Sequence, residues 1–129
     1  MKLYLAGPMS GIPQHNYPAF HAAAARLRSA GYEVINPAEV NPESATAIDA
    51  SPTPRSYWSA CMRRDLPQMM SCEALALLPK WETSEGARLE VYVAAKLGLF
   101  IFDEATFKPI PDAGKRTFIK EMLAFPKLP

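Results

Sequence analysis

Glu90 heads the residues whose type and spacing can do chemistry. Gly86, Val93, Ala94 and Leu97 lie three, four or seven positions from it, so in a helix they share its face. An acid on the apolar side of a helix needs compensation, because burial is costly to an ionised carboxylate. Near a helix start the macrodipole supplies part of it. Two readings stand side by side. Glu90 is an ionised nucleophile in a partly dry pocket, or it is a structural acid paired with an Arg or Lys.

Ser84 and Gly86 stand where that helix begins. A hydroxyl and free backbone N–H groups at a helix start favour an anion such as a phosphate; the plainer reading is that Ser84 only caps the helix. Gly7-Pro8-Met9-Ser10-Gly11 is a loop whose glycines let backbone approach a ligand closely. It has the spacing of neither a dinucleotide fingerprint nor a P-loop. Asp65 lies two residues before Pro67, which is expected to kink its helix and turn the acid toward a cleft. There Asp65 can serve in acid–base work or hold a sugar hydroxyl; otherwise it is a surface acid paired with Arg63 or Arg64. Tyr4 reads as a core strand residue whose hydroxyl reaches one partner. Trp58 and Trp81 can stack on a base or simply pack. His15 and His21 have no acidic or nucleophilic company, and no Ser-His-Asp order is persuasive. Cys61 and Cys72 lack a second Cys/His pair at metal spacing and read as reduced, packed thiols. No metal and no organic cofactor is called for.

The elements that must hold these residues follow from hydrophobic runs and their breakers. Leu3 to Ala6 is an apolar run stopped by Gly7-Pro8 and reads as a buried first strand. A helix is expected from near Pro18, with Phe20, Ala23, Ala24 and Leu27 on one face and Gly31 as its stop. Tyr32 to Ile35 is the second strand. Residues 38 to 54, rich in Pro, Ser, Ala and Thr, form a long connection that is either a binding loop or a surface insertion. A helix from about Arg55 to Ser71, a buried strand from Ala74 to Leu78, a helix from Glu85 to Leu97 and a strand from Leu99 to Phe102 complete the pattern. A short helix is expected from Lys115 to Ala124. Strands alternating with helices imply one α/β domain over 1–129: a small doubly wound, mainly parallel sheet of flavodoxin or Rossmann-like type, with helices on both faces. Ligands in such sheets sit at the carboxyl ends of the strands, here Gly7–Gly11, Asn36–Glu39 and Pro79–Gly86.

Composition narrows the function. With 129 residues, 49% of them hydrophobic and 21% charged, the chain can bury one ordinary core. A net charge of +1, with scattered basic residues, argues against nucleic acid or an anionic membrane as partner. No apolar run reaches the ~20 residues that span a bilayer. The first residues break too early for a signal peptide, and a cytoplasmic location is expected.

Together these pieces resemble the nucleoside 2-deoxyribosyltransferase superfamily, and within it the short branch of deoxynucleoside 5′-monophosphate N-glycosidases. The resemblance runs from Tyr4 to about Phe102. It is carried by Tyr4-Leu5-Ala6-Gly7-Pro8-Met9-Ser10-Gly11, by Arg64-Asp65-Leu66, and by Ser84-Glu85-Gly86-Ala87-Arg88-Leu89-Glu90 leading to Leu97-Gly98. It implies that Glu90 attacks the anomeric carbon, that Tyr4 positions Glu90, and that Asp65 assists proton transfer to the leaving base. It implies that Ser84, Gly86 and the Gly7–Gly11 loop hold a 5′-phosphate, and that the protein is a homodimer or larger homo-oligomer. The two carboxyls would then divide the duties of a retaining glycosidase. Glu73 stands where the family often has Asp, the loop from Pro79 to Thr83 is bulkier than a simple phosphate loop, and an insertion spans Glu43 to Tyr57. Trp81 in that loop is the candidate base contact. The competing expectation is a non-catalytic nucleotide- or ADP-ribose-binding module on the same fold, a sensor or sequestering protein.

Overall fold

Alternation along the first strand divides the molecule into two halves. In β1 (Lys2–Ala6), Leu3 and Leu5 face one side of the sheet and Tyr4 and Ala6 the other, and all four are buried. The computed structural model describes residues 1–39, 50 and 52–117. The remaining elements are α1 (Tyr17–Ser29), β2 (Glu33–Ile35), α2 (Pro54–Met70), β3 (Ala74–Leu77), α3 (Glu85–Lys96) and β4 (Phe100–Asp103). They come in the expected order. Of the long connection expected over 38–54, residues 40–49 and 51 lie outside the described residues, as does most of the helix expected from Lys115 to Ala124. Residues Ala113–Arg116 form a 3-10 turn.

The four strands make one parallel sheet in the order β2-β1-β3-β4. The chain leaves β1 toward one side and returns through α2 to its other side, so the order reverses between β1 and β3, where Tyr4 pairs with Leu75 and Ala6 with Leu77. This is the α/β fold expected from the sequence. α1 covers one face with Phe20, Ala23, Ala24 and Leu27, packed on Leu3, Leu5, Val34, Ala74 and Ala76. α2 and α3 cover the other, where Met69, Ala87, Val91 and Ala94 meet Tyr4, Ala6, Leu75 and Leu77. The outer edge of β4 is closed by its own return, with Ile110 N donating to Ile101 O and Asp103 N to Lys108 O, each at 2.9 Å.

Local chemistry sets the two helix starts that border the site. α2 opens on a capping box: Ser56 N donates to Thr53 Oγ1 at 3.0 Å and Thr53 N donates to Ser56 Oγ at 3.1 Å. Pro54 occupies the first turn, where its missing N–H costs nothing. α3 opens on Ser84, whose hydroxyl oxygen accepts from Ala87 N at 3.1 Å.

Candidate functional site

A cleft of about 1010 Å³ lies between the loop after β1, the α2 face and the first turns of α3. The sheet supplies Tyr4 from beneath. α2 supplies Trp58 and, three, four and seven residues further on, Cys61, Met62 and Asp65, which share one helical face. α3 supplies Gly86, Arg88 and Glu90, and Ser84 stands at its cap. Gly7, Pro8, Met9 and Ser10 also line the cleft.

Asp65 reaches the cleft by this helical phase. The helix is not interrupted beside it: α2 continues through Pro67, where a kink is expected, to Met70. The proline sits in the last turn, and Arg63, the residue four back whose carbonyl it leaves without a donor, is exposed. Asp65 is 8% exposed and is held by Arg64, whose Nε donates to Oδ1 at 2.7 Å and Nη2 to Oδ2 at 3.3 Å. Asp65 is thus paired with Arg64, as one reading expected, but it is buried rather than at the surface, and it faces the cleft.

Burial governs the protonation of the floor. Glu90 is 6% exposed, and desolvation pushes its carboxyl up to about 8; the nearby Asp65 charge adds to the rise, while the Tyr4 hydroxyl and Arg64 oppose it. At neutral pH Glu90 therefore carries its proton. No ion pair to Glu90 forms among the described residues. The carboxyl is neither the paired structural acid nor the resting carboxylate that its spacing suggested. One turn into α3, the helix-start dipole no longer compensates burial. Burial likewise raises Asp65, against the pull of Arg64, and lifts Tyr4 well above the usual phenol range, with the Glu90 and Asp65 charges adding.

Four buried side-chain atoms lack a hydrogen-bond partner among the described residues: Tyr4 Oη, Trp58 Nε1, Arg88 Nε and Glu90 Oε2. All four residues line this one cleft. Tyr4 and Glu90 are close enough to act on one another's proton, yet the two groups do not meet the geometry of a formed bond. Buried polar groups are normally satisfied, so four orphans in one concavity mark a place built to receive polar atoms from elsewhere.

The two loop glycines have separate reasons. A Cβ on Gly7 would stand 2.7 Å from Leu78 Cβ, so Gly7 lets the loop lie against the end of β3. Gly11 adopts φ +77 with open space beyond it and lies outside the cleft walls; it is a turn glycine. A Cβ on Gly86 would lie 3.2 Å from Met62 Sδ and 3.6 Å from Trp58 Nε1, so its bareness keeps the space beside the indole N–H.

Trp81 is corrected by the structure. It is 3% exposed in the core beneath α3, packed with the cluster of Ala87, Val91 and Ala94, and Arg116 lies over its ring at 5.5 Å. It does not line the cleft. The 3-10 turn Trp81–Thr83 folds the loop back and drives its largest apolar side chain inward. Trp58 is the indole at the site. The sequence assigns Arg88 no role and names Arg64 only as one possible partner of Asp65. Glu85, three residues before Arg88, offers a local partner on paper, but its carboxylate is held by Arg55 at 3.1 Å.

No curated protein matches the chain. The family model described as Domain of unknown function (DUF4406) matches residues 1–103, a span that includes every cleft residue named above.

Proposed function

The chain belongs to the DUF4406 family, a domain of unknown function, and we propose that it cleaves the base–sugar bond of a nucleoside or nucleoside 5′-monophosphate, as an N-glycosidase or 2-deoxyribosyltransferase. The observation that carries this reading is the convergence of four unpartnered buried polar atoms on one cleft that also holds the buried carboxyls of Asp65 and Glu90. Glu90, once it has lost its proton, bonds to the anomeric carbon as the carbon–nitrogen bond breaks. The bond's electron pair goes to the base nitrogen, which takes a proton that the Asp65 carboxylate relays from solvent. Water then attacks the glycosyl ester, gives a proton back to Asp65 and frees Glu90; with a second base in place of water the outcome is transfer. The Tyr4 hydroxyl and Arg64 both favour the charged form of Glu90, which suits the attacking species. Ser84, Gly86 and the loop from Gly7 to Ser10 border the space for the rest of the substrate. The resemblance adds a homodimer or larger homo-oligomer, which light scattering tests.

Incubation with a panel of deoxynucleosides and their 5′-monophosphates, read by chromatography for free base, tests the reaction. Release of base that is lost in Glu90→Ala is expected; release unchanged in that variant overturns Glu90 as nucleophile. A second reading is favoured by the protonated state of Glu90 at neutral pH. A neutral carboxyl donates a hydrogen bond well, which fits a nucleotide- or ADP-ribose-binding module that does no chemistry. Calorimetry that finds tight binding in samples with no free base would support this second reading.

A further inference from the structure

The charges of the cleft are unequally matched. Seven arginines occur in the chain, at 26, 28, 55, 63, 64, 88 and 116. Five are held by a carboxylate: Arg26 by Glu104, Arg28 by Glu39, Arg55 by Glu85, Arg64 by Asp65 and Arg116 by Glu82. Arg63 is exposed to water. Arg88 alone is half-buried with no ion pair and no side-chain hydrogen bond among the described residues, and its Nε is fully buried. A guanidinium taken partly out of water without a partner is costly, and an orphaned one in a cleft points to an anion that arrives from outside.

Its neighbours on the cleft wall agree. The two other arginines lining the cleft are Arg55 and Arg64, and each is cancelled by the acid it holds. Glu90 is neutral at pH 7 because burial holds its proton. The cleft at neutral pH therefore carries an excess positive charge, and that charge belongs to Arg88. The same cleft is lined by further donors without acceptors. Trp58 Nε1 is buried and unpartnered, and it stands 3.6 Å from the point where a Gly86 side chain would begin, with Ser84 Oγ 3.9 Å from the same point. Ser84 Oγ accepts from Ala87 N, which leaves its own proton to give. An indole N–H, a hydroxyl and a guanidinium can all donate, and a tetrahedral oxyanion accepts from several directions where a carboxylate offers only two oxygens.

We propose that Arg88, with the Trp58 indole N–H, is the specificity-determining contact of this cleft, and that it selects a ligand carrying a phosphate ester over the same ligand without one. This deepens the glycosidase reading and rests on it for the identity of the remainder of the ligand. It does not rest on it for the anion, because the orphaned donors are there whatever reaction follows.

The test separates the two. Calorimetric titrations use the Glu90→Gln protein, in which the proposed chemistry is stopped, with a deoxynucleoside, its 5′-monophosphate and inorganic phosphate as probes. The monophosphate is expected to bind about tenfold or more tightly than the nucleoside, because charge-assisted bonds to phosphate are roughly twice as strong as neutral ones. Arg88→Met keeps the apolar stem and should erase that preference; Arg88→Lys should keep part of it; Trp58→Phe should weaken phosphate and monophosphate binding more than nucleoside binding. Inorganic phosphate titrated into the unaltered protein gives the same readout with no glycosidic bond present, and circular dichroism checks that each variant is folded. Equal affinity for nucleoside and monophosphate, a preference that survives Arg88→Met in a folded protein, or no binding of either phosphate probe would overturn the proposal. Arg88-dependent phosphate binding without release of base from the unaltered protein would uphold it and remove the glycosidase reading.

Discussion

Arg64 Nε donates to Asp65 Oδ1 at 2.7 Å, so two consecutive residues of α2 close an ion pair on themselves at the cleft wall, with side chains only 18% and 11% exposed. Removing one partner of such a pair strands the other in a poor solvent. Arg64→Met is expected to cost about 1–3 kcal/mol at pH 8, by urea denaturation. Arg64→Lys should recover part of the loss. A Met variant as stable as the parent would mean that the pair contributes nothing.

Glu90 makes stability depend on pH in a definite direction. Its folded-state value, about 8, lies above the ordinary 4.5. The folded protein therefore holds the proton more tightly than the unfolded chain. The stability this contributes is fully present below about 4.5 and is lost as pH rises through 8. Glu90→Gln should match the parent near pH 4.5 and exceed it by about 5 kcal/mol at pH 9. Thermal or urea melts across that range would decide it, and parallel curves would show that Glu90 titrates normally.

Under the glycosidase reading the same proton controls the rate. kcat/KM is expected to rise with pH toward about 8, as the attacking carboxylate forms. Tyr4→Phe removes a hydroxyl that favours the charged form of Glu90, so the rise should move to higher pH. The ring stays in its core position, with a stability change of about 1 kcal/mol or less. A profile that does not move would remove Tyr4 from control of the carboxyl.

Two tryptophans should separate cleanly. Trp81→Ala empties a core site and is expected to cost about 3–5 kcal/mol. Trp58→Phe gives up an unpartnered N–H at the cleft, with a small effect on the melting temperature and a clear loss of ligand binding. The opposite ranking in thermal melts and titrations would restore Trp81 as the ligand contact.

The glycines of the first loop should also differ. Gly7→Ala must displace Leu78 and is expected to cost about 1–3 kcal/mol. Gly11→Ala meets open space and strains only its positive φ, at about 1 kcal/mol. Denaturant midpoints of the two variants give the comparison.

Much of this arrangement is legible in the residues alone. Apolar runs cut by Gly and Pro give four strands and three helices, because a buried parallel strand and an amphipathic helix leave different periods. The convergence of Tyr4, Asp65, Ser84 and Glu90 on one cleft follows from their positions at the ends and faces of those elements. What stays hidden is partnership. Periodicity states which face a side chain takes, and it is silent on whether another chain segment satisfies it. Arg88 stands three residues after Glu85, yet Arg55 holds that acid from a different helix. Trp81 looked like a loop residue until a single 3-10 turn aimed it inward. Pro67 suggested a kink; three residues from the helix end, it leaves α2 continuous, and the residue whose carbonyl loses its donor, Arg63, is exposed.

The alternation along β1 has one more consequence. Leu3 and Leu5 belong to the α1 core while Tyr4, between them, floors the cleft. A slip of one residue in this strand would send the phenol into the α1 side and a leucine under Glu90. The α1 core and the cleft floor are thus carried on opposite sides of the same five residues. β1 has little freedom to drift, whereas the segments leaving the strand ends can change without disturbing the barrier between the two halves.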